Sequence, residues 1–309
     1  MSHVVCVTPN PAADVTYEVG ALTPGASHRV GRVLQRPGGK GVNVARVLRA
    51  LDVPVRVVVP AGGPTGTWLV DALRAAAHDG FRVQAVPVAA ETRRTVTVVD
   101  AHGEATALNE PGRPLTEAEW VAFLAATADA LSGAGALVVS GSLPAAAPPD
   151  LPARLVGLAR DAGVPVAVDT SGPPLLAAIE AGPDLVKPNA DELAGIATGD
   201  DVLAAARRLV TLGARHVVVS RGADGLLGAD ADGVWRVPAV AGVTGNPTGA
   251  GDAAVAALVH AQLSGTPWPD ALAGAAALGA AAVLADVAGE VDLAAYRRFL
   301  PTLSAERVV

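Results

Sequence analysis

Short Val-rich apolar runs alternate with segments of helical periodicity along most of the chain, and this alternation limits the fold more than any other feature. His3–Thr8, Val55–Val59, Ala136–Ser140, Val164–Asp169, Asp184–Lys187 and His216–Ser220 read as buried strands. Between them, Val42–Leu51, Thr65–His78, Glu117–Leu131, Leu151–Ala162 and Val202–Leu212 carry apolar residues at helical spacing. Val44, Val47, Leu48 and Leu51 form one such face. Strands alternating with helices predict an α/β fold, a doubly wound and mostly parallel sheet flanked by helices. The last third adds a hairpin (Gly225–Ala229 and Val234–Pro238) and helices near 250–264 and 270–285.

Two stretches break the rhythm. Residues 13–35 and 91–109 read as extended segments without intervening helices, with Thr95–Val99 running into a turn at His102-Gly103. They predict a small β-sheet lid over the edge of the main sheet. No low-complexity linker or internal repeat separates them, so residues 1–309 are expected to form a single domain. Open parallel sheets bind ligands beyond the carboxyl ends of their strands. Polar and Gly-rich punctuation collects there, at Thr8-Pro-Asn-Pro, Ser140-Gly-Ser-Leu-Pro144, Lys187-Pro-Asn-Ala-Asp-Glu192 and Ser220-Arg-Gly-Ala-Asp-Gly225. All four are expected to face one cleft.

Composition narrows the partners. At 51% hydrophobic but only 3% aromatic, the core must be built from Ala, Val and Leu. A net charge of -7 argues against nucleic acid as a main partner. Cys6 is the only cysteine, so no intramolecular disulfide forms, as suits a reducing cytoplasm. The N-terminus lacks signal-peptide features. The longest apolar run, Ala271 to Ala285, is shorter than the roughly 20 residues of a membrane span. A soluble, cytoplasmic protein with no membrane partner is expected. Lysine occurs only at Lys40 and Lys187; every other basic side chain apart from histidine is arginine. Two lysines in an arginine-using chain point to places where a compact ammonium is needed, unless they survive by chance.

The sharpest chemical signal is Asn246-Pro-Thr-Gly-Ala-Gly-Asp252, which runs into the apolar helical segment Ala253–Val259. A helix start presents unpaired N–H groups and attracts anions. A carboxylate there would repel an anion, so it makes sense if the N–H groups stabilise the anion while Asp252 accepts a proton. That combination suggests phosphoryl transfer to a hydroxyl. Ordinary helix capping explains the same residues without chemistry. Gly249-Ala-Gly-Asp-Ala-Ala254 also fits the loose dinucleotide pattern, but late in the chain and with no strand-end acid at the required spacing.

Pro37-Gly38-Gly39-Lys40-Gly41-Val42-Asn43 is a second Gly-rich turn opening a helix. It is not a Walker A loop, because Gly41 follows Lys40 and Leu occupies position 34. Its N–H groups and Lys40 can hold an anion or sugar hydroxyls, with Asn43 on the first helical turn; a tight turn with a solvated lysine is the plain alternative. Asp14 either receives sugar hydroxyls or is a turn residue. Asn189 and Glu192 lie three residues apart on one face of a starting helix, a pair that can hold hydrated Mg²⁺ or form a capping box. Arg93 and Arg94 either pair with a phosphate or are solvated charges on an edge strand.

Taken together, the chain resembles carbohydrate kinases of the ribokinase superfamily, in the branch that includes phosphofructokinase type B. Thr8-Pro-Asn-Pro-Ala-Ala-Asp14 is similar to that branch's T-x-N-P-x-x-D, and Gly38-Gly-Lys-Gly-Val-Asn-Val-Ala-Arg46 to its G-G-K-G-x-N-V-A-x. Ser140-Gly-Ser-Leu-Pro, Val186-Lys-Pro-Asn-x-x-Glu192 and Gly249-Ala-Gly-Asp252 follow in register. The nearest subgroup is that of 1-phosphofructokinase and tagatose-6-phosphate kinase.

The resemblance implies an ATP- and Mg²⁺-dependent kinase that turns a ketohexose monophosphate into a bisphosphate. Fructose 1-phosphate is the first expectation and tagatose 6-phosphate the second. It implies Asp252 as the base and the N–H groups of Gly249, Ala250 and Gly251 as the anion hole. Asp14, Gly38, Gly39 and Asn43 would hold the sugar, and Lys40 and Arg93 its phosphate. Lys187, Asn189, Ser220, Gly222 and Gly225 would contact ATP, and Glu192 would order Mg²⁺ through water. The adenine is expected near Ala275–Asp286, and a homodimer through the lid is implied by relatives. Arg36-Pro37, Thr95 and Asn246-Pro247 depart from the subgroup's usual residues and bear on the sugar's identity. A kinase of an unphosphorylated sugar or nucleoside, and a non-catalytic sugar-phosphate-binding regulator, are the alternatives. Two cations argue against the first, and an intact Asp252 and anion turn against the second.

Overall fold

A computed structural model describes residues 2–77, 80–197, 199 and 201–308. In chain order the elements are β1 (His3–Val7), β2 (Ala12–Glu18), β3 (Arg32–Gly38), α1 (Lys40–Ala50), β4 (Val55–Ala61), α2 (Gly63–Ala75), β5 (Phe81–Pro87), β6 (Arg93–Val99) and β7 (Ala105–Asn109). Then come α3 (Glu117–Ala130), β8 (Ala134–Ser140), α4 (Leu151–Asp161), β9 (Val166–Asp169), α5 (Pro173–Glu180), β10 (Leu185–Val186), α6 (Ala190–Ile196), α7 (Val202–Leu212) and β11 (His216–Ser220). The chain closes with β12 (Leu226–Ala229), β13 (Val234–Val237), α8 (Ala250–Leu263), α9 (Trp268–Val283), α10 (Leu293–Phe299) and β14 (Glu306–Arg307).

The main sheet has the order β14-β13-β12-β11-β10-β9-β8-β1-β4-β5. Every pairing from β5 across to β11 is parallel, and β12–β14 add an antiparallel edge. The parallel strands are continuous apolar runs because helices cover both faces. On one face α1, α2, α8 and α9 pack through Val44, Leu48, Leu69, Val255, Leu258 and Leu272. On the other, α3 to α7 pack through Phe123, Leu155, Ile179, Leu193 and Leu209. The doubly wound, mostly parallel α/β architecture expected from the alternation is the one observed.

The second sheet has the order β3-β2-β6-β7 and contains the two segments set apart by their pattern. Its register is informative. Asp14 of β2 lies directly across from Arg36 of β3 on one side and Thr95 of β6 on the other. Residues opposite one another share a face of the pleat, so these side chains leave the sheet together.

Several elements had no counterpart in the sequence reading. Strand β5 is a half-exposed edge strand, Phe-Arg-Val-Gln-Ala-Val-Pro, whose apolar residues alternate with polar ones instead of forming a run. Helix α5 opens on Pro173-Pro174, a helix start that reads locally as a turn. Helix α10 is a short terminal helix. The helix expected over Thr65–His78 is α2, ending at Ala75; His78 lies outside the described residues. Among the described residues, no helix is long and apolar enough to cross a membrane.

Candidate active site

The carboxyl ends of β1, β8, β9, β10 and β11 open on one side of the sheet, and the polar punctuation meets the first turns of α1 and α8 there. Helix α8 is apolar nearly all round and is buried accordingly, but Asp252 sits in its first turn and is only 6% exposed. Its N-cap, Gly249, is left-handed at φ 89°, and a Cβ there would lie 2.9 Å from the Cα of Ala288. Only glycine suits both constraints.

Asp252 is held from α1. Asn43 Nδ2 donates to Asp252 Oδ2 at 2.8 Å, a bond buried on both sides. Burial, and then the neighbouring carboxylate of Asp169, push the Asp252 carboxyl up to about 7; Asn43, Lys40 and Lys187 oppose that rise. Such a group is poised to accept a proton near neutrality. The Ala250 N–H is engaged with Pro247 O at 3.2 Å. Among the described residues, the N–H groups of Gly251 and Asp252 meet no acceptor. Of the expected Gly249–Gly251 set, the Gly249 and Gly251 N–H groups remain unengaged, and the Asp252 N–H lies beside them.

The two lysines converge on one buried carboxylate. Lys40 Nζ lies 3.3 Å from Asp169 Oδ1 and 3.7 Å from Glu192 Oε1. Lys187, only 4% exposed, lies 3.8 Å from the same Asp169 oxygen. The Ser140 hydroxyl donates to the other oxygen at 3.4 Å. Burial works against the Lys40 ammonium, but Asp169, Glu192 and Asp252 outweigh it and hold its pKa above the usual lysine value. Lys187 also reaches the anion turn, since a Cβ on Gly251 would lie 3.2 Å from its Nζ. Asp169 was not singled out in the sequence. Its signal was present: a strand-terminal Asp in Val-Asp-Thr at the carboxyl end of a parallel strand.

Glu192 realises the capping box in full. Its N–H donates to Asn189 Oδ1 at 2.7 Å, and its Oε2 accepts from the Asn189 N–H at 2.9 Å. Oε1 remains, turned toward Lys40. The donor set of Asp169 and Glu192 is all oxygen and suits a hard cation such as Mg²⁺ that keeps its waters. Among the described residues, no group of three or more His, Cys, Asp or Glu side chains forms a metal cage.

The small sheet brings the other expected residues in. Asp14 accepts from the Thr95 hydroxyl. Burial raises its pKa, against the pull of Thr95, Arg93 and Arg46. A Cβ on Gly38 would fall 1.9 Å from Asp14 Oδ2, so only glycine leaves that carboxylate its place. Gly39 caps α1 at φ 109° beside Thr8. Arg93 spends its donors on backbone: Nε and Nη2 on Asn10 O at 3.3 and 3.2 Å, and Nη1 on Glu110 O at 2.9 Å. It therefore fixes two loops of the site as well as adding charge.

Asn189, Ser220 and Gly222 line an open groove of about 780 Å³, together with Asp191, Val202, Arg221 and Arg236. Gly225 does not line it; a Cβ there would meet the Val237 carbonyl oxygen at 2.1 Å, which makes it a turn glycine before β12. No residue of Ala275–Asp286 lines it either. Helix α9 packs on the opposite side of the β11–β12 hairpin, where Leu272 covers Gly228.

The parallel α/β sheet gathers the buried Asp252 at a helix start, Lys40, Lys187 and the Asp14 of the small sheet at one edge, an arrangement suited to a sugar kinase. The chain belongs to the pfkB family of carbohydrate kinases, whose family model matches residues 3–292. It is 38% identical to a 1-phosphofructokinase of Xanthomonas campestris, covering 84% of each chain. It is 36% identical to the ATP-dependent 6-phosphofructokinase isozyme 2 of Mycobacterium tuberculosis, over 83% of this chain and 76% of that protein. The solved structure of phosphofructokinase-2 from Escherichia coli superimposes with a TM-score of 0.90 at 30% identity, covering 98% of this chain and 99% of that one. Family membership makes the protein a phosphotransferase with an alcohol acceptor and, as a kinase, a user of ATP as phosphoryl donor.

Proposed function

We propose that the chain transfers the γ-phosphoryl group of ATP to a hydroxyl of a ketohexose monophosphate, giving a hexose bisphosphate, and that fructose 1-phosphate is the acceptor. The observation that carries this reading is the buried Asp252 at the anion turn, with one oxygen held by Asn43 and two lysines beside it. The free oxygen of Asp252 accepts the proton of the acceptor hydroxyl as that oxygen attacks phosphorus. The Gly251 and Asp252 N–H groups, with Lys187, stabilise the charge on the moving phosphoryl group. Asp14, Gly38, Gly39 and Asn43 hold the sugar. Lys40 and Arg93 meet the phosphate the sugar already carries, a need that an unphosphorylated sugar would not have. Lys187, Asn189, Ser220 and Gly222 receive the nucleotide. Bound Mg²⁺ would supply charge neutralisation on its phosphates, and Glu192 Oε1 would orient a water of that ion.

The similarity to a 1-phosphofructokinase supports fructose 1-phosphate. The nearly equal similarity to a 6-phosphofructokinase supports fructose 6-phosphate as the second reading. The test is turnover of ATP against fructose 1-phosphate, fructose 6-phosphate, tagatose 6-phosphate, free fructose and a nucleoside. The highest kcat/KM is expected for fructose 1-phosphate. A higher value for free fructose or the nucleoside than for any hexose phosphate would reject the substrate class.

The small sheet, built from the 13–35 and 91–109 segments, acts in this reading as a lid that carries Asp14 and Arg93 onto the sugar within one kinase domain. Two large apolar side chains, Val33 (58% exposed) and Leu108 (59% exposed), share one of its faces. They favour a homodimer through the lid. Sedimentation of the parent and of the Val33→Asp variant tests it: a dimer that becomes a monomer is expected, and a monomeric parent rejects it.

A further inference from the structure

Arg36, on the lid strand β3, has its ion-pair partner outside the lid. Through Nη1 it forms an ion pair with Oε1 of Glu290. Arg36 stands directly across from Asp14 in the lid sheet. Glu290 ends the segment Ala288-Gly289-Glu290, which follows α9 and is wedged against the catalytic floor. A Cβ on Gly249 would come within 2.9 Å of Ala288 Cα, and one on Gly289 would come within 3.1 Å of both Asn43 Oδ1 and Arg46 Cδ. Gly249 caps α8, and Asn43 holds Asp252. One continuous set of contacts therefore joins the lid, through Arg36 and Glu290, to the anion turn and to the residue that grips the base.

The pair is a poor stabiliser of the fold as a whole. Its side chains are 42% and 51% exposed, and ion pairs in water contribute little. Its position is what matters, because it joins the sheet that carries Asp14 to the segment packed beside Gly249 and Asn43.

We propose that Arg36 and Glu290 are positioning residues that clasp the lid to the Ala288–Gly289 wedge, so that Asp14 is set over Asp252 when the lid is down. The proposal rests on reading the site as that of a phosphosugar kinase. A bound sugar then gains affinity from a lid already biased toward closure, while ATP, held from the other strands, does not.

The test uses the full chain with Arg36→Gln, Glu290→Gln and the charge-swapped double variant Arg36→Glu/Glu290→Arg. In the substrate-free protein, amide hydrogen exchange of residues 32–38 and 288–290 should quicken about two- to fivefold in each single variant, the range expected for losing an exposed ion pair. Exchange in β9 and α4 should not change, and the swapped variant should return toward the parent. KM for fructose 1-phosphate should rise by about the same factor, with KM for ATP unchanged. Parental exchange in both single variants overturns the clasp, as does a swapped variant no better than either single. Faster exchange across the whole chain overturns it too, because it marks a general stabiliser. If the parent turns over no hexose phosphate, the functional reading fails, and the exchange result alone decides the clasp.

Discussion

The side-chain amide of Asn43 donates to the carboxylate of Asp252 at 2.8 Å, joining the first turns of two helices 209 residues apart in the chain. This bond fixes one oxygen of Asp252 and leaves the other for the substrate in the proposed reaction. It also lowers the proton affinity of a carboxyl that burial has raised.

Replacing Asp252 by Asn keeps the shape and removes the proton acceptor. We expect kcat to fall roughly 10²–10⁴-fold, with ATP binding retained by equilibrium titration. Near-parental turnover would reject Asp252 as the base.

The same substitution should stabilise the fold. The folded pKa of about 7 lies above the ordinary 3.8, so between these values the native state binds more protons than the unfolded one, and stability falls as pH rises through the window. At pH 8 the ionised, buried Asp252 costs the parent roughly 2–4 kcal/mol. Asp252→Asn should therefore melt several degrees higher at pH 8, with the advantage shrinking toward pH 5. An equal or lower melting temperature at pH 8 would contradict the buried-charge argument.

In the parent, kcat/KM should rise with pH through about 7 as Asp252 loses its proton. Asn43→Ala removes a hydrogen bond to the ionised form, so the acidic limb should move to higher pH. A limb that stays in place would show that another group titrates.

Glu192→Gln keeps an oxygen to accept the Asn189 N–H, so the capping box survives and the melting temperature should change little. Activity should fall most at low Mg²⁺ and recover partly in excess metal. An unchanged Mg²⁺ titration would leave Glu192 as a helix cap alone.

Lys40→Ala and Arg93→Ala should each raise KM for the phosphosugar roughly ten- to a hundredfold, the scale of a charge-assisted bond to phosphate. KM for ATP should move far less. Arg93→Lys is a sharper probe. It keeps the charge but loses the fork that holds the Asn10 and Glu110 carbonyls, and it should restore only part of the affinity.

Much of this protein is written locally. Val-rich runs such as His3–Val7 and His216–Ser220 announce strands covered on both faces, and apolar spacing in Val42–Leu51 announces a helix, because period and burial are properties of consecutive residues. Asn189-x-x-Glu192 and Gly249-Ala-Gly-Asp252 likewise declare helix starts, since capping is short-range chemistry. Other features needed the tertiary structure. Asp169 looks like the last residue of a strand until β8, β9 and α1 bring Ser140 and Lys40 onto it from about thirty and 130 residues away. Nothing local to Arg36 announces Glu290, which chain closure sets beside it from 254 residues away. Asp252 is decided this way too: any Asp in a first helical turn is an ordinary capping-region residue in sequence. Its carboxyl is pushed up to about 7 only because packing around α8 removes water and leaves the Asp169 carboxylate, the Asn43 amide and the Lys40 and Lys187 ammonium groups to set its proton affinity.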